Sequence, residues 1–580
     1  MKTRRTFLIS FVLMVTASFT MSAVAQDIAA GKKLIETGQW NKANQFFADQ
    51  VKKNPADPSL KFYLGETFLA LGKADSAENN FNKGIDYAFS TAGLGKIILS
   101  KGDTTKAKES FNKAIKEERK NGDLYAYIVE ACISGGYAKL AEQFYLRGKE
   151  VTTKNANLYM AAGDLAKLRG NAGEAANAYE NAVFYDKNMA LAYVKVGNIY
   201  TDSRSWDVAA QNFNKALAID PQYPLAFKGL GDMYFKSGKF QDASDNYKKF
   251  FDNSEVSLED KYRYAFILFY NKEYAEATKM IESLLKIDSK NPVLLRLQAY
   301  ISYELGVDEK GKVTKPESIT TAMDNITKFF KVQDRSKLLS SDYEYLAKIE
   351  IASKLDSLAP DNYMKAYLMD STRTSLLEDG AKIASRIGLY LKAVPFYQTM
   401  IRLSPENAAI NSFRLGQQYY LQAFKKDTAK ADSLLKQQHL ILADTAFKTV
   451  ATLIPANILG PLWMARTENL LDTKGEDKAQ PYYEKVIQLI TGANEADKRK
   501  NEIVEAYRYM GALWYTRAYN ALNKKKDKAE YQEDKTKSLD AWNKILELIP
   551  TDTQAKEAQK AFEDLDKVKN RPQPQAQPQN

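Results

Sequence analysis

The chain has 580 residues, 45% of them hydrophobic, with a formal net charge of +11, one cysteine and one histidine. Cys132 alone cannot form an intramolecular disulfide, and with only His439 to join it a closed zinc site is excluded on ligand count. The charge is mild for so long a chain; it reads as solvated helix faces and points away from nucleic acid.

Residues 1–25 read as an export signal. Lys2, Arg4 and Arg5 precede an apolar run from Phe7 to Phe19, and Ala23-Val24-Ala25 supplies small residues for cleavage before Gln26. The run falls short of the ~20 residues of a spanning helix. No Cys follows the cut, which argues against a lipid anchor. Thr3-Arg4-Arg5-Thr6-Phe7-Leu8 resembles a twin-arginine signal, but Ile9 stands where a basic residue is common, so ordinary unfolded export is favoured. Loss of Lys2, Arg4 and Arg5 lowers the charge from +11 to +8. That leaves room for a weak attraction to an anionic membrane surface or a glycan.

From there small and large residues recur in step. Gly31, Trp40, Ala43, Phe47 and Pro55 form one unit, and Gly65, Phe68, Ala77 and Phe81 the next. A shortened unit holds Gly95, Ala107 and Phe111, and a degenerate one Tyr137, Ala141 and Tyr145. Gly163, Gly197 and Gly231 then follow at 34-residue spacing, continued by Ala265 and Ala299. Around Gly197 stand Tyr193, Val196, Tyr200, Ala209, Phe213, Ala216 and Pro221. Later units centre on Gly388, Gly416, Trp463 and Gly511; the stretch from Tyr343 to Arg373 is the least regular. Small residues at fixed offsets let two helices approach while large ones fill the gap beside them.

The aromatic-x-x-aliphatic-Gly-x-x-Tyr run, the later Ala and Phe and the closing Pro resemble the tetratricopeptide repeat. The resemblance implies an all-α, right-handed superhelical solenoid of about 13–14 helical hairpins, each burying its apolar face only against its neighbours. The expected division is 26–305 for an N-terminal and central array and 306–570 for a C-terminal array with insertions. A capping helix from roughly Thr553 to Lys569 closes the second array, and a disordered Pro/Gln tail follows over 571–580.

Two insertions stand out. Gly197 and Ala209 are 12 residues apart, but Gly416 and Ala443 are 27 apart, as are Gly511 and Ser538. Shared over two helices, the excess should lengthen each by about two turns. A smaller excess between Ala299 and Ala322, with Gly306, Gly311 and Pro316, reads as a loop.

No catalytic motif accompanies these landmarks. His439 lies in the first long hairpin without a Gly-x-Ser-x-Gly elbow, and Cys132 sits between Ala131 and Ile133 as a small core residue would. Gly93-Leu94-Gly95-Lys96 lacks the remainder of a phosphate loop. The chain reads as no enzyme, with no cofactor and no metal.

The better signal is a stripe on the first helices, offset from the packing residues. It holds Lys228, Asp232 and Phe235 in one unit, Tyr262, Phe266 and Phe269 in the next, and Arg296, Tyr300 and Tyr303 after that. In tetratricopeptide arrays such helices line the concave face, so these nine residues are the expected partner-binding groove. The competing expectation is that the aromatics pack on one another inside a tight superhelix. The Lys-Asn clamp of chaperone-binding relatives is not in register, since Val194 pairs with Asn198 and Lys228 with Asp232. The function expected is a protein-interaction scaffold of the bacterial envelope, most simply periplasmic or peripheral to the outer or inner membrane. An outer-membrane glycan-capture protein of the starch-binding type is the alternative.

Overall fold

The computed structural model describes residues 28–425, 433–523 and 528–569. The expected export signal over 1–25 and the expected disordered tail over 571–580 lie outside the described residues. Among the described residues every regular element is a helix, and a single bridge pairs Val307 with Val313 in the loop expected after Ala299. The chain divides into two compact units, Met1–Leu297 and Gln298–Asn580. The division falls inside the helix Pro292–Gly306 rather than in the loop that follows it.

In the first unit, first helices of 13 residues alternate with second helices of mostly 14, as in Ala190–Asp202 and Trp206–Ile219, with Ala74–Lys83 shortened to 10 and Tyr274–Leu285 to 12. The pairing follows from sterics. A Cβ placed on Gly163 would lie 2.2 Å from the Tyr179 ring, one on Gly197 2.7 Å from Phe213, and one on Gly231 2.3 Å from Tyr247. Each ring comes from the second helix of the same hairpin and lies over the bare glycine backbone, so hydrogen at that position sets the interhelical distance. Successive hairpins then share core. Phe111 and Phe144 meet edge to face at 5.6 Å, and one apolar cluster runs from Ala88 to Leu165. In the degenerate unit the fully buried ring is Phe144, and its neighbour Tyr145 is only half-buried. The turn inside each hairpin ends its first helix on a residue with positive φ, Gly170 and Gly238 among them; Arg204 and Lys272 adopt the same conformation without the glycine that suits it.

In the second unit the least regular stretch is also a hairpin, Ser340–Ala352 with Ala359–Met369. Glu344 joins it to the next through Arg373. The two insertions lengthen their hairpins unequally. The first has helices of 16 and 21 residues, Ala408–Ala423 and Ser433–Leu453, with 426–432 outside the described residues. The second has helices of 24 and 21, Lys500–Asn523 and Lys528–Leu548. Thr553–Lys569 packs on the second, with Phe562 fully buried among Ala518, Ala521 and Tyr531. It is the expected cap.

Candidate partner-binding groove of the N-terminal unit

The residue directly after each packing glycine points away from the hairpin seam: Glu66, Lys96, Asp164, Asn198 and Asp232 follow Gly65, Gly95, Gly163, Gly197 and Gly231. Neighbouring hairpins bring these side chains together as a ladder of charges. Lys96 pairs with Glu66 at 2.7 Å, and the Tyr127 hydroxyl donates to the same carboxylate at 2.6 Å. Lys195 reaches Asp164 at 2.6 Å, where Tyr179 also donates at 2.7 Å. Asp164, Lys195, Asn198, Lys228 and Asp232 together line a cleft of about 360 Å³.

Glu130 holds the corresponding place after Val129, and no ion pair or hydrogen bond engages it among the described residues. Burial pushes its carboxyl up to about 7, with Lys195 pulling down and Asp164 pushing up. The side chain is nevertheless exposed to water. Both facts fit a carboxylate standing in the hollow of the superhelical turn, wetted from inside but surrounded by protein; the direction of the shift is upward, and lumen water moderates it.

The turn closes on itself. Glu255 accepts from the backbone N–H of Asn41 at 3.0 Å and of Lys42 at 2.7 Å, capping the helix Trp40–Lys53 from 214 residues away. Beside it Lys33 pairs with Asp220 at 2.6 Å, and buried Tyr223 donates to Glu36. Burial holds Glu36 above the usual carboxylate range against the pull of Tyr223 and Lys33. The first hairpin thus touches the sixth to eighth across one superhelical turn.

The nine residues expected in the groove separate into three groups. Lys228, Asp232, Tyr262, Phe266 and Arg296 are half-buried. Lys228 pairs with Asp260 at 2.6 Å and lies 5.6 Å over the Phe250 ring. Asp232 accepts from Tyr247 at 2.7 Å and faces Arg263 at 3.7 Å; burial is the largest influence raising its pKa. Phe235 and Phe269 belong to an aromatic cluster at the end of the same helices, where Tyr270 stacks on Phe240 at 5.2 Å and is half exposed.

Tyr300 and Tyr303 correct the expectation. Both lie in the second unit and are buried. Tyr300 stacks on Tyr345 at 3.8 Å and donates to the fully buried Asp342 at 2.6 Å, while Tyr303 meets Tyr345 edge-on at 5.9 Å. Burial pushes the Tyr303 hydroxyl up to about 12. They are core, as the competing expectation has it, because the helix Ser340–Ala352 covers them. Sequence reasoning missed the ladder from Glu66 to Lys195. The signal was present, since each of Glu66, Lys96 and Asp164 follows a packing glycine, but aromatic content drew attention away from charge.

The remaining candidate groups have structural places. His439 is buried and lies near-parallel to Tyr419 at 6.5 Å. Cys132 is fully buried and its thiol is pushed up to about 12, so a thiolate is suppressed.

Comparison with known proteins agrees with the hairpin geometry. Residues 197–238 match the model described as a TPR repeat, and residues 92–121 the model described as a tetratricopeptide repeat. No curated protein matches the chain. Among solved structures, the C-terminal part of a TPR repeat-containing protein from Cytophaga hutchinsonii is 27% identical, covering 51% of this chain and 98% of its own, with a TM-score of 0.31. A tetratricopeptide repeat protein from Parabacteroides merdae is 16% identical over 52% of this chain and 99% of its own, with a TM-score of 0.26. PilF of Pseudomonas aeruginosa is 16% identical over 37% of this chain and 98% of its own, with a TM-score of 0.32. Both family models fall on helical hairpins of the first unit, and the same glycine-on-ring seam runs on either side of them, so the chain carries tetratricopeptide repeats.

Proposed function

We propose that the protein is an exported scaffold of a bacterial envelope, working in the periplasm, that holds a segment of a partner protein in the groove of its N-terminal unit. As a tetratricopeptide-repeat array it belongs to a class of protein-interaction scaffolds, which supports a protein or peptide as the kind of partner. The observation that carries the groove reading is the half-buried pair Asn198 and Asp232, which line a cleft together with charges from neighbouring hairpins; Phe266, also half-buried, holds the next place in the same 34-residue series. Polar groups held in place by ion pairs fix a bound segment's register, and the aromatic rings beside them supply apolar contact area. Export is supported by the Lys2–Ala25 pattern alone.

Photo-crosslinking in cells tests both parts. A crosslinker at Phe266 should capture one discrete envelope protein, whereas one at exposed Phe184, on a second helix, should not. Equal capture from the two positions, or none from Phe266, would sink the groove reading. Recovery of the uncut chain in the cytosol would sink the export reading. Bound glycan in a native purification would favour nutrient capture instead.

A further inference from the structure

The two edges of the repeats differ in what they show to water. Where second helices end, one or two apolar side chains are exposed in several hairpins of the first unit, as at Val151, Phe184 with Tyr185, Ile219 and Ile287. Leu403 and Leu453 do the same in the second unit. That exposure belongs to the repeat. The opposite edge, where first helices turn into second ones, has polar turns such as Gly102-Asp103 in the first unit, with exposed Leu168 and Tyr270 each standing as the one such side chain at its turn. Three consecutive hairpins of the second unit differ.

There, Leu355 and Leu358 project from one turn, Leu391 from the next, and Leu421 and Phe424 from the third. Leu434 and Leu435 begin the returning helix of that third hairpin, and all seven side chains are at least 39% exposed. The three turns are tied to one another. Lys392 donates to the Ser357 carbonyl at 3.2 Å, and Lys425 to the Gly388 carbonyl at 3.0 Å. Farther along the helix Ser433–Leu453, exposed Ile441 and Leu442 continue the surface on a face shared with Gln438, Thr445, Lys448 and Thr449, which carries no carboxylate. Residues 426–432 are no part of it.

Among the described residues the charge on this edge has one sign left over. Asp356 is neutralised by Arg386 at 3.5 Å and Asp361 by Lys392 at 2.8 Å. Lys354 is exposed beside Leu355, Lys425 follows Phe424, and Lys436 lies 4.7 Å over the Phe424 ring. A contiguous apolar row marks an interaction surface. Apolar side chains with cations beside them, and carboxylates already cancelled, complement an anionic interface whose interior is hydrocarbon. No helix among the described residues is long and apolar enough to cross a membrane, so contact would be from one side.

We propose that this edge of the C-terminal unit docks on an anionic lipid surface, with Phe424, Leu434 and Leu435 entering the boundary between headgroups and acyl chains and Lys354, Lys425 and Lys436 lying among the headgroups. The long lysine stems can cover apolar surface while their ammonium groups stay with phosphate. The proposal goes beyond the groove reading and stands without it: a failed crosslink at Phe266 leaves it untouched.

Vesicle flotation tests it with the chain beginning at Gln26, because the apolar run Phe7–Phe19 would bind lipid by itself and the described fold starts at residue 28. The protein should float with phosphatidylglycerol-containing vesicles at low salt, less at high salt, and hardly with pure phosphatidylcholine. Phe424→Ser with Leu435→Ser should lower the bound fraction at least ten-fold with a nearly unchanged melting curve, since both side chains are partly exposed at the edge and neither belongs to the core. Lys354→Glu with Lys436→Glu should lower it several-fold and remove most of the salt dependence. Absence of flotation with anionic vesicles, or undiminished flotation of the Phe424/Leu435 variant, would overturn the proposal. So would a concentration-dependent dimer abolished by that variant without lipid binding, which would assign the surface to a second copy of the chain.

Discussion

The two long hairpins begin from the same insertion and end in opposite states. Gly416 lies 27 residues before Ala443 and Gly511 27 before Ser538, and both glycines sit under a ring, Phe447 at 2.5 Å and Trp542 at 2.6 Å from the missing Cβ. Beyond that seam they diverge. In the second hairpin Tyr531 is buried, donates to Asp566 at 2.7 Å and packs with Phe562 of the terminal helix, while Lys535 pairs with the same aspartate. Its outward face carries Thr536 and Lys537 where the first hairpin carries exposed Ile441 and Leu442. A repeat seam is decided within the hairpin. What becomes of added helix is decided by whether another element reaches it; among the described residues the terminal helix covers the second insertion, and Ile441 and Leu442 of the first hairpin stay exposed.

The largest effect should come from removing that element's anchor. Phe562→Ala should cost about 3–5 kcal/mol locally, freeing Thr553–Lys569 and the start of Lys528–Leu548 to hydrogen exchange. Phe424→Ala, at the uncovered hairpin, should leave exchange unchanged; a comparable loss at both sites would end the contrast.

The seam itself should not distinguish them. Gly416→Leu and Gly511→Leu should each destabilise by on the order of 1–3 kcal/mol, since each drives a side chain into a ring. Gly231→Leu, against Tyr247, should do the same in the first unit. Opening should stay local to the altered hairpin and its neighbours. Exchange that rises together across a whole unit would show cooperativity longer than nearest neighbours.

Tyr300 and Phe266 extend the same contrast of covered and open to the groove, since they occupy equivalent places in successive hairpins. Tyr300→Phe should cost about 1–2 kcal/mol, because it takes a hydrogen bond from buried Asp342. Phe266→Ala should cost less than that and leave the melting curve of the first unit nearly in place.

The smallest effect concerns Glu66 and Glu130, one held by Lys96 and Tyr127 and the other without such partners. A carboxyl raised from its ordinary 4.5 to about 7 binds more protons folded than unfolded, so stability falls as pH rises through that window. Glu130→Gln should therefore raise the melting temperature slightly at pH 8 and leave it unchanged near pH 4.5. The same gain at both pH values would place its cause outside this titration.

Much of the fold was legible because its rule is short-ranged. The offset of 16 residues from Gly197 to Phe213 and from Gly231 to Tyr247 places ring over backbone within one hairpin, and nothing distant is needed for it. Gly380 under Phe396 keeps that offset in the second unit, and where insertions stretch it to 31, from Gly416 to Phe447 and from Gly511 to Trp542, a ring still covers the glycine. The groove was legible only in part. Lys228, Asp232 and Phe266 stand half-buried at the periodic places expected of them, but Tyr300 and Tyr303 share that period and are core.

Periodicity thus determined which face of each helix a side chain takes, because 3.6 residues per turn and a bare glycine leave little choice. Tertiary structure alone decided whether that face is open. The capping of Asn41 and Lys42 by Glu255 spans 214 residues, and the cover over Tyr300 comes from Tyr345 across an irregular loop. Neither contact has a local signature: the first depends on how small rotations between successive hairpins accumulate, and the second on how an irregular connection sets the next helix against its neighbour.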